Sequence, residues 1–192
     1  METVLITLLR LNRGKEIDMK AECYVDGSYI KGATEVNGAF IAIIGDKLAS
    51  AMRLHTEDKS LLKHNQVSGE VFSALYVLEF FDNSLSGTDH ALDELIVYHD
   101  YTGIAYWVDG TWKKTNTDMS TDYKRRAIKA VQSLANKSVK VTFKKVKAHS
   151  GIQYNELADQ LAKGKVDTQL EEMYDGQLNY YMDKGRVVFV QS

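Results

Sequence analysis

The sequence has 192 residues, of which 44% are hydrophobic and 26% are charged, and its formal net charge at pH 7 is −2. These values are typical of one globular domain with short additions and argue against a low-complexity or generally basic nucleic-acid-binding chain. A single cysteine, Cys23, excludes an intramolecular disulfide, and no apolar run is long enough to span a membrane. Because the first residues also lack the pattern of a signal peptide, we expect a cytoplasmic protein without a membrane partner.

Three strands are predicted near the start of the chain. Residues 21–30 alternate between apolar and polar side chains. Residues 35–45 and 47–55 continue as two further strands, joined by a turn at Gly45 and Asp46. Connections this short predict an antiparallel meander.

From Ser68 onwards the hydrophobic residues recur with the period of a helix. Predicted helices and strands then follow one another along the chain. Helices are predicted over residues 68–81, 101–108, 121–135 and 154–163, and strands over 92–100 and 139–146. Ser68 is the predicted N-cap of the first helix, and Gly164 ends the last one. Because strands that are separated by helices require crossovers, we predict an α/β fold with a five-stranded mixed sheet flanked by helices.

Charge is divided unevenly along the chain. Between Lys113 and Lys147 there are eleven Lys and Arg residues and only two acids, Asp118 and Asp122. Between His55 and Asp100 there are nine Asp and Glu residues and only two lysines. Such a division suits a protein that holds phosphates with one region and metal ions with another, although solvated helix faces would also explain it.

Four acids occur at positions where elements of one mixed sheet can converge: Asp26, Glu70, Asp100 and Asp159. Each has an ordinary alternative role. Asp26 could be a turn residue before a glycine, and Glu70 could be favoured by the helix dipole. Asp100 could cap the next helix, and Asp159 could be a surface acid. Together they would repel one another strongly and take up protons unless cations were present. Mg²⁺ prefers oxygen ligands, and two such ions can activate water and stabilise a leaving oxygen.

The segment around the last acid resembles a known family. Its sequence, VKAHSGIQYNELADQLAKG over residues 146–164, closely resembles the C-terminal motif of ribonuclease HI-type enzymes. That motif has a strand, a loop with a histidine, and a helix with Asn-Glu and the last catalytic aspartate. The other family blocks follow in order as YVDGS on the first strand, SGE at the first helix and YHD at the end of the fourth strand.

The resemblance implies a ribonuclease H-like fold over residues 20–165. It leaves residues 1–19 as an extension of unclear role and residues 166–192 as a tail that could add a helix or strand, RVVFV being a candidate. It also implies that the four acids are catalytic residues and ligands of two Mg²⁺ ions, with Mn²⁺ as a possible substitute. His149 would assist by proton transfer, unless it is an exposed bystander.

Substrate contacts are implied in the same way. Polar groups near the 2′-hydroxyls of an RNA strand would come from Gly27, Ser28, Asn65 and Gln66. Asn155 either caps its helix or shapes the substrate or metal surroundings. Trp112, which is followed by Lys113 and Lys114, is the candidate for stacking on the DNA strand, whereas Trp107 has the helical spacing of a core residue.

Two features depart from many members of the family. Residues 109–122 form only a short substitute for the basic handle, which places the chain nearer to the handle-less or short-handle branch. No Gly-Asn-Pro run follows Asp26. Both departures bear on substrate affinity and not on the metal ligands.

The sequence therefore predicts an endoribonuclease that hydrolyses the RNA strand of RNA–DNA hybrids with two metal ions. A DNA junction nuclease on the same fold and a non-catalytic hybrid-binding or interaction domain are the alternatives. We expect a monomer, with a dimer formed through the tail left open.

Overall fold

The structure is a computed structural model that describes residues 18–29, 32, 34–62, 66–87, 89–115, 117–147, 151–165, 178–183 and 186–191. The strands are β1 (Met19–Ser28), β2 (Val36–Ile44), β3 (Lys47–Thr56), β4 (Leu92–His99), β5 (Lys140–Lys145), β6 (Leu178–Asp183) and β7 (Arg186–Gln191). The helices are α1 (Lys59–Leu62), α2 (Gln66–Ser84), α3 (Gly103–Val108), α4 (Asp118–Asn136) and α5 (Gln153–Ala162).

The first five strands form one mixed sheet in the order β3-β2-β1-β4-β5. β1 pairs antiparallel with β2, which pairs antiparallel with β3, so the predicted meander is confirmed. β1 also pairs parallel with β4, and β4 pairs parallel with β5. The predicted five-stranded α/β architecture is therefore confirmed, and the parallel pairing puts the carboxyl ends of β1 and β4 at the same edge.

Helices cover the sheet on both faces. On one face α2 packs against β1 and β2, and α4 packs on α2 over the larger core, which includes Phe40, Leu78 and Leu134. On the other face α5 crosses β1, β2 and β3 over a smaller core that includes Ile41 and Leu161. Apolar side chains on both faces of β2 explain why all nine of its residues are buried.

Cys23 lies in the larger core and is fully buried, as predicted. Burial raises the pKa of its thiol, because the low-dielectric core disfavours the thiolate. A buried neutral thiol behaves as a small hydrophobic side chain and not as a nucleophile.

The start of α2 differs from the prediction. Ser68 is not the N-cap, because the helix begins two residues earlier, at Gln66. The Ser68 side chain is fully buried, and its hydroxyl donates to the Leu61 carbonyl oxygen at 2.5 Å. The serine therefore joins α2 to the short helix α1, which the sequence did not predict.

The tail contains the predicted strand over RVVFV, which is β7, paired antiparallel with the unpredicted β6. The two strands form a sheet of their own, and β7 contacts the edge strand β3. None of the helices in the described part of the chain is long and apolar enough to cross a membrane.

Candidate active site

A cleft of about 740 Å³ opens at the sheet edge where β1 and β4 end. It is lined by all four predicted carboxylates: Asp26 from β1, Glu70 from α2, Asp100 just after β4, and Asp159 from α5. Residues that are far apart in the sequence therefore meet in one place. Their convergence follows from the mixed sheet, which brings two strand ends and two helices to one edge.

Glycines allow α2 to approach the sheet closely enough to bring Glu70 beside Asp26. Gly27 of β1 pairs with Gly38 of β2, and both lie against Gly69 of α2. A Cβ atom added to Gly69 would come within 2.7 Å of the Gly27 Cα, closer than real Cβ contacts. Ser73 fixes this contact, because its hydroxyl lies 3.1 Å from the Asp26 carbonyl oxygen and 2.9 Å from that of Gly69.

Glu70 is almost completely buried, with 4% of its surface exposed. Its Oε1 accepts hydrogen bonds from the backbone N–H of Asp100 at 2.6 Å and of Tyr101 at 3.0 Å. Burial, followed by the neighbouring Asp100 carboxyl, raises the pKa of Glu70 well above its usual range, against the effect of these two amides. The carboxylate is thus held in place in an environment that disfavours its negative charge.

The environment of Asp26 also disfavours its negative charge. Burial raises its pKa to about 7, and the Asp159 and Asp100 carboxylates add to the rise. The Gly27 N–H, which donates to Asp26 Oδ1 at 2.6 Å, and the charge of Lys163 oppose it. The cleft therefore concentrates negative charge that its own cations neutralise only in part.

Asp159 has a cationic partner at the C-terminal end of its own helix. The Lys163 ammonium lies 2.6 Å from Asp159 Oδ1 and 2.7 Å from Oδ2, one helical turn away. Lys145 and Lys147 also line the cleft. Lys145 and Lys147 belong to the basic segment, residues 113–147, that the charge pattern predicts to hold phosphates. The sequence analysis predicted no role for Lys163, although it follows Asp159 by four residues, the spacing of an ion pair on a helix.

A pair of stacked tyrosines supports the two strand-end acids. Tyr24 and Tyr98 precede Asp26 and Asp100 by two residues, and their rings stack with centroids 4.4 Å apart and planes at 4°. The Tyr98 hydroxyl donates to Glu22 Oε1 at 2.6 Å. The stack joins β1 to β4 where Tyr24 and Tyr98 are paired in the sheet.

The ordinary alternatives for three of the acids do not match the structure. Asp26 lies inside β1, and Glu70 is the fifth residue of α2, beyond its first turn. Asp100 does not cap α3, whose N-cap residue is Thr102. Asp159 remains on a helix surface, but that surface lines the cleft.

Of the predicted substrate contacts, Gly27, Ser28 and Asn155 line the cleft. Asn155 does not cap α5, because the N-cap residue is Ile152. It is 4% exposed, and its Oδ1 has no hydrogen-bond partner in the described part of the chain. Gln66 is the first residue of α2, whereas Asn65 and His149 lie outside the described residues.

Trp112, Lys113 and Lys114 line a second groove of about 770 Å³, which shares Val67 and Tyr101 with the cleft. We call this the aromatic groove. Trp112 is 37% exposed. Trp107 also lines the groove but is only 6% exposed, which confirms its prediction as a core residue.

The donor set of the cleft suits a hard divalent cation. It consists of four carboxylates, the ligands that Mg²⁺ prefers. Burial first, and then the neighbouring carboxylates, raise the pKa of Asp26 and Glu70, and a bound cation would oppose this rise. As the side chains are placed, no group of three or more His, Cys, Asp and Glu within the described residues could hold a metal ion. Lys163 holds Asp159, and backbone amides hold Glu70.

Comparisons with solved structures identify the same fold. RNase H1 from the archaeon Halobacterium salinarum NRC-1 aligns with a TM-score of 0.56 and 14% identity, covering 76% of this chain and 99% of that one. The N-terminal RNase H domain of a Mycobacterium tuberculosis protein, solved as a fusion with maltose-binding protein, aligns with a TM-score of 0.55 and 13% identity. This second alignment covers 77% of this chain and 96% of that one.

Comparisons of sequence give the family. No curated protein matches the chain significantly. The RNase H family profile matches residues 18–167, which include all four cleft carboxylates and the segment that carries His149. With this match over most of its length and an RNase H fold, the chain belongs to the RNase H family.

Proposed function

We propose that the protein is an endoribonuclease that hydrolyses the RNA strand of RNA–DNA hybrids with the help of two divalent metal ions. The observation that carries the proposal is the convergence of Asp26, Glu70, Asp100 and Asp159 in one cleft. Crowded carboxylates are costly in a fold, and here burial and mutual repulsion raise the pKa of Asp26 to about 7. Divalent cations bound by these carboxylates would offset that cost.

The four carboxylates would hold the ions, Mg²⁺ or, as a substitute, Mn²⁺. When bound, such ions would stabilise the negative charge that develops when the leaving oxygen of a phosphodiester is displaced in line. The chain's own residues prepare the site. The two amides at Asp100 and Tyr101 orient Glu70, and Lys163 neutralises Asp159 until another cation arrives. His149, which the family resemblance assigns to proton transfer, belongs to the segment that leads into α5.

The aromatic groove supports binding of the second strand. Trp112 presents a partly exposed ring, and Lys113 and Lys114 add positive charge along the same wall. An aromatic surface beside lysines is suited to the sugars, bases and phosphates of a nucleic-acid strand. Because Val67 and Tyr101 line both cavities, a duplex in the cleft would place one strand beside this groove.

Substrate comparison tests the proposal. Hybrids labelled on either the RNA or the DNA strand, duplex DNA, double-stranded RNA and a four-way DNA junction are incubated with the protein and Mg²⁺. We expect cleavage of the RNA strand of the hybrid alone. Preferential cutting of the junction would instead identify a DNA junction nuclease, and metal-independent binding without any cleavage would identify a non-catalytic binding domain.

A further inference from the structure

The histidine before Asp100 is buried and does not line the carboxylate cleft. His99, the last residue of β4, is 1% exposed, and its Nδ1 lies 3.0 Å from the carbonyl oxygen of Tyr101. Because a carbonyl oxygen can only accept, Nδ1 carries the proton and donates it. The other ring nitrogen, Nε2, is then a bare acceptor, and it is buried without a hydrogen-bond partner among the described residues.

A buried acceptor without a partner costs free energy, so an apolar side chain would suit this core position better. The ring does pack edge-on against Phe143, as an apolar residue would. The hydrogen bond from Nδ1 is what distinguishes histidine from an apolar residue here. Its acceptor therefore indicates what the histidine does.

That acceptor belongs to the turn that holds Glu70. The N–H groups of Asp100 and Tyr101 both donate to Glu70 Oε1, at 2.6 and 3.0 Å. The carbonyl oxygen of the same Tyr101 accepts from the His99 side chain and from the Ile104 N–H at 3.1 Å. In addition, the His99 carbonyl oxygen accepts from the Val146 N–H at 2.8 Å, at the end of β5.

We infer that His99 is a positioning residue, whose Nδ1 hydrogen bond to the Tyr101 carbonyl aims the Asp100 and Tyr101 amides at Glu70 and so sets the cation affinity of the cleft. The inference rests on the proposed role of Glu70 as a metal ligand. Groups that orient metal ligands typically change metal affinity or activity by about 10- to 100-fold when they are removed. His99 acts through the backbone and touches no substrate.

Asparagine and glutamine distinguish this role from simple core packing. The Asn Nδ2 occupies nearly the position of the His Nδ1, whereas the Gln amide lies one bond further out. His99→Asn should therefore keep the hydrogen bond, and His99→Gln and His99→Leu should lose it. His90→Leu is the matched control, because His90 lies before the other end of β4 and outside the cleft lining.

Two measurements without substrate test the inference. NMR of the ¹⁵N-labelled full chain reports the proton shifts of the Asp100 and Tyr101 amides, which hydrogen bonds to a carboxylate move downfield. Calorimetric titration with MgCl₂ reports cation affinity. We expect wild-type shifts in His99→Asn and His90→Leu with an affinity within about threefold of wild type, and loss of the shifts with an affinity at least about tenfold weaker in His99→Gln and His99→Leu.

Equal behaviour of the Asn and Gln variants, or wild-type shifts and affinity in a folded Leu variant, would overturn the inference. If the Leu variant does not fold, as circular dichroism would show, the Asn and Gln pair decides. The amide shifts of the metal-free protein report the hydrogen bonds whether or not the protein cleaves hybrids. A failure of the proposed function is therefore distinguishable from a failure of this inference.

Discussion

The carboxylate cleft and the aromatic groove share a wall but are built in opposite ways. The cleft holds its acids at strand ends and on helices, and the environment shifts the pKa values of two of them. The groove instead presents Trp112 on a connecting segment, partly open to solvent, with Lys113 and Lys114 exposed beside it. The buried carboxylates of the cleft suit the proposed chemistry, and the partly exposed ring and lysines of the groove suit the proposed binding of a strand.

Removing a cleft carboxylate should have the largest effect. Asp26→Asn or Asp100→Asn is expected to lower kcat for hybrid cleavage by roughly a thousandfold or more, because a neutral amide cannot replace a carboxylate as a cation ligand. Binding of the hybrid, measured by fluorescence anisotropy, should change little. Full activity of either variant would remove that residue from the site.

Removing the groove's exposed ring should affect binding without affecting chemistry. Trp112→Ala is expected to raise KM for the hybrid by about tenfold, since stacking of a base or sugar on an aromatic ring contributes about 1–3 kcal/mol. The kcat should stay near the wild-type value. Trp112→Phe is the matched control and should retain most of the affinity; an unchanged KM in Trp112→Ala would show that the groove does not contact the substrate.

The Asp26 carboxylate, which we propose to be needed for cleavage, should also destabilise the metal-free fold at high pH. The folded-state pKa of Asp26, about 7, is above its ordinary value of 3.8, so its contribution to stability is fully present below pH 3.8, declines above it and is gone once the pH has risen through 7. At pH 8 without metal, Asp26→Asn should therefore increase the free energy of unfolding by roughly 1–3 kcal/mol. Urea denaturation at pH 5.5 and pH 8 measures this.

Two comparisons control that experiment. The exposed Glu57→Gln variant should leave stability unchanged at both pH values. Adding Mg²⁺ at pH 8 should stabilise the wild type more than Asp26→Asn. A destabilised Asp26→Asn variant would show that the folded protein does not disfavour the negative charge of this carboxylate.

Charge in the groove should have the smallest effect at a fixed salt concentration. Lys113→Gln combined with Lys114→Gln is expected to reduce the slope of log Kd against log salt concentration by about one for each phosphate that the lysines no longer neutralise. Lys140→Gln, at the far end of β5 and paired with Glu94, should leave the slope unchanged. Equal slopes for all three proteins would mean that neither groove lysine binds phosphate.

The order of the main elements could be predicted from the sequence, because hydrophobic periodicity is a local signal. The sequence also predicted that the four acids meet, from their order along the chain and from the family motifs around them. The structure brings Asp26 and Asp100 together because β1 and β4 pair in parallel. The start of α2 could not be predicted from the local pattern. Ser68 has the residue type of a cap, but a tertiary hydrogen bond to Leu61 places it inside the helix.

Other features of the site depend on contacts between distant segments, which one sequence does not reveal. Gly38 of β2 lies against Gly69 of α2, and the Ser73 hydroxyl is hydrogen-bonded to the Gly69 carbonyl oxygen. No local pattern in the sequence connects these two elements. The stacking of Tyr24 on Tyr98 is of the same kind. The contact of Lys163 could have been predicted, since its four-residue spacing from Asp159 is a recognisable sequence signal of an ion pair on a helix.

We propose that the protein cuts RNA only when its four clustered carboxylates share divalent cations. The most direct test is cleavage of an RNA–DNA hybrid labelled on the RNA strand, by the wild type and by Asp26→Asn, over a series of Mg²⁺ concentrations that begins with a chelator. We predict cleavage of the RNA by the wild type that rises with Mg²⁺ and is abolished by the chelator, and none by Asp26→Asn. Cleavage in the chelator, or equal cleavage by both proteins, would contradict the claim.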